Sequence, residues 1–222
     1  MQIAPLLHVG RGVTAIIGGG GKTTLMETLA GELSKKGKVI ITTTTHIYRP
    51  EQYETLLDAD EAAVSAALER SGIVCVASQA ESGKLCAPWL SMGTLAQLAD
   101  FVLVEADGAK RLPLKAHASH EPVPEEAQRV IMVIGIDGVG KTIRETCRRS
   151  ALYAQLAGVD EETVVTPQLA ARVVNAEGYG DRVYINKVES AADYEAAQAM
   201  ANEFSCPVIA GSLHQGVYVC LH

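Results

Sequence analysis

The residues best suited to chemistry begin with Gly18-Gly19-Gly20-Gly21-Lys22-Thr23-Thr24. Consecutive glycines let backbone amides converge on an anion with no Cβ in the way. A helix starting at their end adds partial positive charge. Lys22 is then placed to reach the β and γ phosphates of a nucleotide, and the Thr23 hydroxyl to ligate Mg²⁺. Gly18 to Thr24 are therefore expected to hold ATP or GTP. The longer pattern G-x-x-x-x-G-K-[ST] fails here, because position 16 is Ile. That pattern is met in full by Gly135-Ile136-Asp137-Gly138-Val139-Gly140-Lys141-Thr142, also after an apolar run. This second segment ranks below the first. The residues after it form a poor amphipathic helix and put Arg144, Arg148 and Arg149 in its first turns, against the helix dipole.

A second group is acidic. Phe101-Val102-Leu103-Val104 leads into Glu105-Ala106-Asp107-Gly108. A carboxylate at the end of an apolar strand, beside a phosphate loop, holds Mg²⁺ directly or through water. Positions 105 and 107 of a strand face one side, so Glu105 and Asp107 are assigned jointly to metal and water positioning. With Lys22 they form the expected catalytic set. Lys110, Arg111 and Lys115 follow, three cations next to the proposed phosphate site, and are expected to contact an anionic second substrate or the γ-phosphate. The run Thr42–Thr45 ends an apolar strand where open α/β sheets bind ligands, and Thr44 is carried forward as a substrate contact. His117 and His120-Glu121 do not have the HExxH spacing of a zinc hydrolase. Late in the chain, Asn186-Lys187-Val188-Glu189 is similar to the N-K-x-D segment that reads the base in GTP-binding proteins. Glu189 is one methylene longer than the usual acid, so ATP and GTP both stay open.

These groups need a scaffold. Apolar, β-branched runs at 13–18, 38–43, 73–77, 101–106, 130–135, 182–186 and 207–211 lack polar alternation, the mark of strands buried on both faces. Helical patterns lie between them. Residues 23–36 carry Leu25, Leu29 and Leu33 on one face, and residues 61–70 are rich in Ala. Thr166-Pro167 opens a helix over 166–176. Ser190 with Asp193 forms a capping box for 190–204. Alternation over the whole length predicts a doubly wound α/β fold like that of P-loop NTPases, with a mainly parallel sheet of about seven strands. Residues 1–222 read as one domain, with 78–92 and 107–125 as insertions near the site.

Composition narrows the function classes. Lys and Arg number 19 against 26 Asp and Glu, a net charge of −7, which argues against a general nucleic-acid binder. No apolar run approaches the ~20 residues that span a bilayer, so no membrane partner is expected. The N-terminus lacks a charged leader region. The five cysteines are scattered with no CxxC pair, as suits a reducing, cytoplasmic compartment.

Five segments in this order, IIGGGGKTTL, ITTTTHIY, VLVEADGAKRLPLKAHASHEPVP, VIGIDGVGK and VYINKVE, resemble the YqeC family, accessory proteins of selenium-dependent molybdenum hydroxylases. EADGAKRLPLK followed by HEP is the most specific stretch. The resemblance implies a P-loop nucleotide-binding protein that matures or inserts a selenium-containing molybdenum cofactor, with that cofactor and a hydroxylase client as partners. It also implies that GIDGVGK is a strand-loop feature of the family rather than a second phosphate site. Three activities fit these residues: a Mg-dependent nucleoside triphosphatase, a carrier that holds a phosphorylated molybdopterin-type cofactor without hydrolysis, and a small-molecule kinase or amide ligase. The short loop, as in Mur-type ligases, is what brings in the last.

Overall fold

The computed structural model describes residues 2–80, 83–118, 121 and 123–222. Strand β1 (Gly12–Gly18) runs into the glycine loop and helix α1 (Lys22–Leu33). There follow β2 (Val39–Thr43), β3 (Glu54–Leu57), α2 (Glu61–Ser71), β4 (Ile73–Gln79), β5 (Leu85–Cys86), α3 (Met92–Leu98) and β6 (Phe101–Glu105). Next come β7 (Leu114–Lys115), β8 (Ala127–Gly135), α4 (Ile143–Thr146), β9 (Cys147–Arg148), α5 (Ser150–Ala157) and α6 (Pro167–Glu177). The chain closes with β10 (Arg182–Asn186), α7 (Ala191–Ala201), β11 (Val208–Ser212) and β12 (Val217–Cys220).

The main sheet has the order β12-β11-β10-β8-β1-β6-β2-β4-β3, with β5 on β4. All pairs are parallel except β11 with β12 and β4 with β5. A two-stranded sheet of β7 and β9 lies apart. The strands are apolar on both faces because both faces are covered. In β1, Ala15 and Ile17 join one core cluster and Ile16 the other. In β6, Val102 and Val104 face the first and Leu103 the second. Leu25, Leu29 and Leu33 of α1 are buried in that second cluster, as their four-residue spacing requires. The expected α/β architecture, helices over a mainly parallel sheet, is what the structure has.

Caps end the helices as the sequence indicates. Thr166 accepts from the Leu169 amide with Pro167 at the first helical position, and Ser190 and Asp193 form the capping box of α7. Several elements go beyond the sequence reading. β3 and α3 were not legible, and β5 and β7 fall inside the two stretches read as insertions. α1 ends at Leu33, three residues before the expected boundary. Among the described residues, no helix is long and apolar enough to cross a membrane. Glycine loop and acidic strand end meet because β1 and β6 are parallel neighbours, with Ile16 beside Glu105. Both carboxyl ends therefore open on the same edge of the sheet.

Candidate functional site

The glycine loop is held from below and left open above. The Gly19 amide donates to the Val133 carbonyl at 2.9 Å, and the Gly20 amide to the Leu112 carbonyl at 3.0 Å. Gly20 has φ +77°, and a Cβ there would stand 2.3 Å from the Gly135 nitrogen. A side chain at Gly21 would meet the Asn186 amide nitrogen at 2.4 Å. These approaches explain the glycines at 20 and 21 through packing as well as through the needs of a phosphate. α1 starts at Lys22 with no side-chain cap. The first amides of an α-helix lack intrahelical partners, so this end faces its cavity as an anion site.

Glu105 and Asp107 both approach Lys22 but have separate surroundings. Thr23 Oγ1 donates to Glu105 Oε2 at 2.8 Å, and Lys22 Nζ lies 3.8 Å from Glu105 Oε1. Burial raises the Glu105 pKa, offset in part by Lys22 and the Thr23 hydroxyl. Asp107 is fully buried just past the strand. Its Oδ2 accepts the Gly18 amide at 2.7 Å and lies 2.6 Å from His117 Nε2 and 3.3 Å from Lys115 Nζ. Its Oδ1 is 2.9 Å from Lys22 Nζ, which also donates to the Gly18 carbonyl at 2.8 Å. Burial alone would raise the Asp107 pKa. Lys22, the His117 hydrogen bond and Lys115 overcome it and hold the carboxyl well below the usual carboxylate range.

The two carboxylates thus have different partners. Thr23 and Glu105 are hard oxygen donors in contact with each other at the loop's open end. Mg²⁺ keeps several waters and takes one or two carboxylates plus phosphate oxygens, so this pair fits it. Asp107 is held by a backbone amide and three cationic side chains, while its buried Oδ1, 2.9 Å from Lys22 Nζ, makes no hydrogen bond. Among the described residues, no group of three or more His, Cys, Asp or Glu is arranged to hold a metal. The His120 part of the HASHE segment lies outside the described residues.

His117 is a residue the sequence left without a role. Its Nδ1 is 2.8 Å from Glu177 Oε2, and its amide donates to Glu177 Oε1 at 2.5 Å. Burial would lower its pKa, but hydrogen bonds to Asp107 and Glu177 prevail and raise it to about 9. A carboxylate at each ring nitrogen makes both of them donors, so the ring is an imidazolium. Lys115 belongs to the same buried cluster. Its Nζ donates to the Gly108 carbonyl at 3.0 Å and to Glu121 Oε1 at 2.7 Å. With no exposed side chain, Lys115 is not available to a substrate, a correction to the reading of three substrate-facing cations. Thr44 does not line the cavity, where its neighbour Thr45 stands, and its Oγ1 is buried without a hydrogen-bond partner.

That cavity has a volume of about 660 Å³. One side is the loop end, Gly20 to Thr24, with Glu105. The lining also carries Tyr48, Lys84, Lys110 and Arg111. Of the base-reading segment, Lys187 reaches the cavity rim while Asn186 and Glu189 lie outside it. Asn186 Nδ2 donates to the Gly20 carbonyl at 2.8 Å, and its Oδ1 accepts the Leu213 amide at 3.2 Å. Glu189 Oε1 accepts from the Ser212 hydroxyl at 2.7 Å, a partner the sequence reading missed. Lys187 Nζ is 2.8 Å from Asp137 Oδ2.

The second glycine segment has no cradle. A 3₁₀ turn spans Ile136–Gly138. Thr142 forms a capping box with Glu145 at the start of α4, a helix of only four residues. The Thr142 hydroxyl is thus engaged by Glu145 instead of facing a ligand. Gly135 of this segment packs on Gly20, and Asp137 pairs with Lys187, so the segment buttresses the first loop.

A glycine loop from the first strand to an uncapped helix, with Lys-Thr at its end and an acidic strand end on the threonine, is the architecture of a P-loop α/β protein. The family profile described as YqeC protein matches residues 14–151. The uncharacterized protein YqeC of Escherichia coli (strain K12) is 33% identical over 177 residues, covering 75% of this chain and 69% of that protein. The chain belongs to the YqeC family. Among solved structures, the 54 kDa protein of the signal recognition particle from Aeropyrum pernix K1, crystallised with GDP, matches with a TM-score of 0.41 at 15% identity. That match covers 95% of this chain and 44% of the other.

Proposed function

We propose that this chain binds a magnesium-complexed nucleoside triphosphate at Gly18–Thr24 and hydrolyses or transfers its γ-phosphoryl group. The observation that carries the reading is the 2.8 Å contact of Thr23 with Glu105 at the mouth of an uncapped helix. The open amides of α1 bind the phosphate oxygens. Lys22 stabilises the charge that develops on them as the phosphoryl group leaves. Thr23 and Glu105 would hold Mg²⁺, which when bound would neutralise charge on the phosphates. One of the two carboxylates, Glu105 or Asp107, would orient the attacking nucleophile. Asp107 keeps Gly18 and Lys22 in position from beneath. The base would lie toward Asn186–Glu189, of which Lys187 reaches the cavity rim, and both ATP and GTP fit this reading. The family resemblance supports a role in maturing or inserting a selenium-containing molybdenum cofactor for a hydroxylase client.

The test is a thermal-shift and turnover panel with ATP, GTP, their diphosphates and Mg²⁺. A ligand at 100 times its Kd stabilises the fold by about 2.7 kcal/mol. The expected result is a Mg-dependent shift by one triphosphate, lost in Lys22→Ala, with phosphate release in the wild type. Tight binding with no phosphate release, with or without the client, would instead identify a carrier. Unchanged affinity and turnover in Lys22→Ala would overturn the assignment.

A further inference from the structure

Part of the cavity lining is built from two chain segments clamped together. Ile47 and Leu85 form an antiparallel bridge, with amide-to-carbonyl distances of 3.0 and 2.9 Å in the two directions. Both side chains are buried. The next pair along, Tyr48 with Lys84, lines the cavity together with Ile47. The Lys84 Nζ stands 4.5 Å from the centroid of the Tyr48 ring, which is 62% exposed. From a third segment, the Arg111 guanidinium stands 5.7 Å from the same ring. Cations over an aromatic face are attracted by its quadrupole, so one ring holds two positive groups side by side without neutralising them.

Lys110 and Arg111 are aimed by an unusual backbone. Both have positive φ, +51° and +64°, which a residue with a Cβ adopts at a cost and which recurs at ligand clamps. Their turn closes through the Leu112 amide on the Ala109 carbonyl at 3.0 Å, and the Leu112 carbonyl accepts the Gly20 amide. The turn is thereby fixed to the phosphate loop itself. Among the described residues, Lys84, Lys110 and Arg111 have no carboxylate within ion-pair distance. The two carboxylates of the lining are engaged elsewhere, Glu105 by Thr23 and Glu121 by Lys115 and Arg149. In a chain of net charge −7, three uncompensated cations on one concave wall constitute a local anion site.

We infer that this wall, Tyr48, Lys84, Lys110 and Arg111, binds the phosphate monoester of a second small molecule beside the triphosphate. The inference rests on the nucleotide reading for what fills the neighbouring loop, but not for the existence of the anion subsite. The cavity, about 660 Å³, is lined both by the loop end Gly20 to Thr24 and by this wall, and it is of the size of a small-molecule site. Three cations match the three terminal oxygens of a phosphate monoester, a dianion, better than the two oxygens of a carboxylate.

The experiment titrates phenyl phosphate, and benzoate as the carboxylate control, into the full chain while Tyr48 and Lys84 side-chain resonances are followed by NMR. It is run without nucleotide and again with Mg²⁺ and a non-hydrolysable triphosphate filling the loop. The expected result is saturable shifts of Tyr48 and Lys84 by phenyl phosphate in both conditions. Affinity weakens by about tenfold or more in Lys84→Ala and in Arg111→Ala, and benzoate binds more weakly. The inference is overturned if shifts are confined to Gly18–Thr24, if neither variant weakens binding, or if benzoate binds as tightly. Failure of the triphosphate to bind sinks the nucleotide reading instead and leaves the nucleotide-free titration to decide the subsite.

Discussion

Asp107→Asn keeps the side-chain volume and removes one charge from a carboxylate with no exposure to solvent. In the wild type, that charge faces Lys22 at 2.9 Å, Lys115 at 3.3 Å and His117 at 2.6 Å, and it accepts the Gly18 amide. The variant leaves buried cations without their shared counter-ion. Removing one partner of a buried ion pair costs about 3–5 kcal/mol. For a domain of this size, each kcal/mol moves Tm by about 2–4 °C, so Tm should fall by about 10 °C. His117, held at about 9, should titrate well below that, because the first of the interactions that raise it is gone. Urea unfolding at pH 7 with a check on the m-value, and an NMR titration of the His117 ring, measure the two effects. Loss of less than about 1 kcal/mol together with a His117 pKa still near 9 would refute the view that Asp107 braces the loop. It would return this residue to the metal-holding role that the sequence allowed.

Further outcomes are expected at His117, Thr142, Thr23 and Gly20. His117 has a folded pKa of about 9 against an ordinary 6.5, so its contribution of about 3 kcal/mol is complete below pH 6.5 and lost as pH rises through 9. His117→Gln should abolish that slope in urea unfolding across pH 6 to 10. Thr142→Ala, which removes one half of the α4 capping box, should cost about 1 kcal/mol of stability and leave triphosphate affinity unchanged in calorimetry, whereas Thr23→Ala should remove the Mg²⁺ dependence of binding. Gly20→Ala places a Cβ 2.3 Å from the Gly135 nitrogen at φ +77°. It should lower both Tm and triphosphate affinity, and a crystal structure of the variant should show the Gly135 turn displaced.

What the sequence by itself determined is whatever depends on near neighbours in the chain. Apolar runs without alternation identified the buried parallel strands, and Thr166, Ser190 and Asp193 announced their helix starts, because a cap reaches only three residues. The Gly18–Thr24 loop was legible for the same reason: strand, glycines, Lys-Thr and helix are contiguous. β3 was not, since Glu54–Leu57 is short and half exposed, and it pairs at the sheet edge with a strand some twenty residues later. The tertiary structure alone decided how similar residues divide their work. Glu105 and Asp107 are two positions apart, yet one contacts Thr23 and the other is sealed beneath the loop by His117 and Lys115. The longer glycine pattern at Gly135 lost its threonine to Glu145 and became a buttress. Tyr48, Lys84 and Arg111 carry no local signal of belonging together. Long-range pairing through Ile47 and Leu85, and a turn tied to Gly20, bring them to one wall, because electrostatics acts through space while a sequence pattern records only order along the chain.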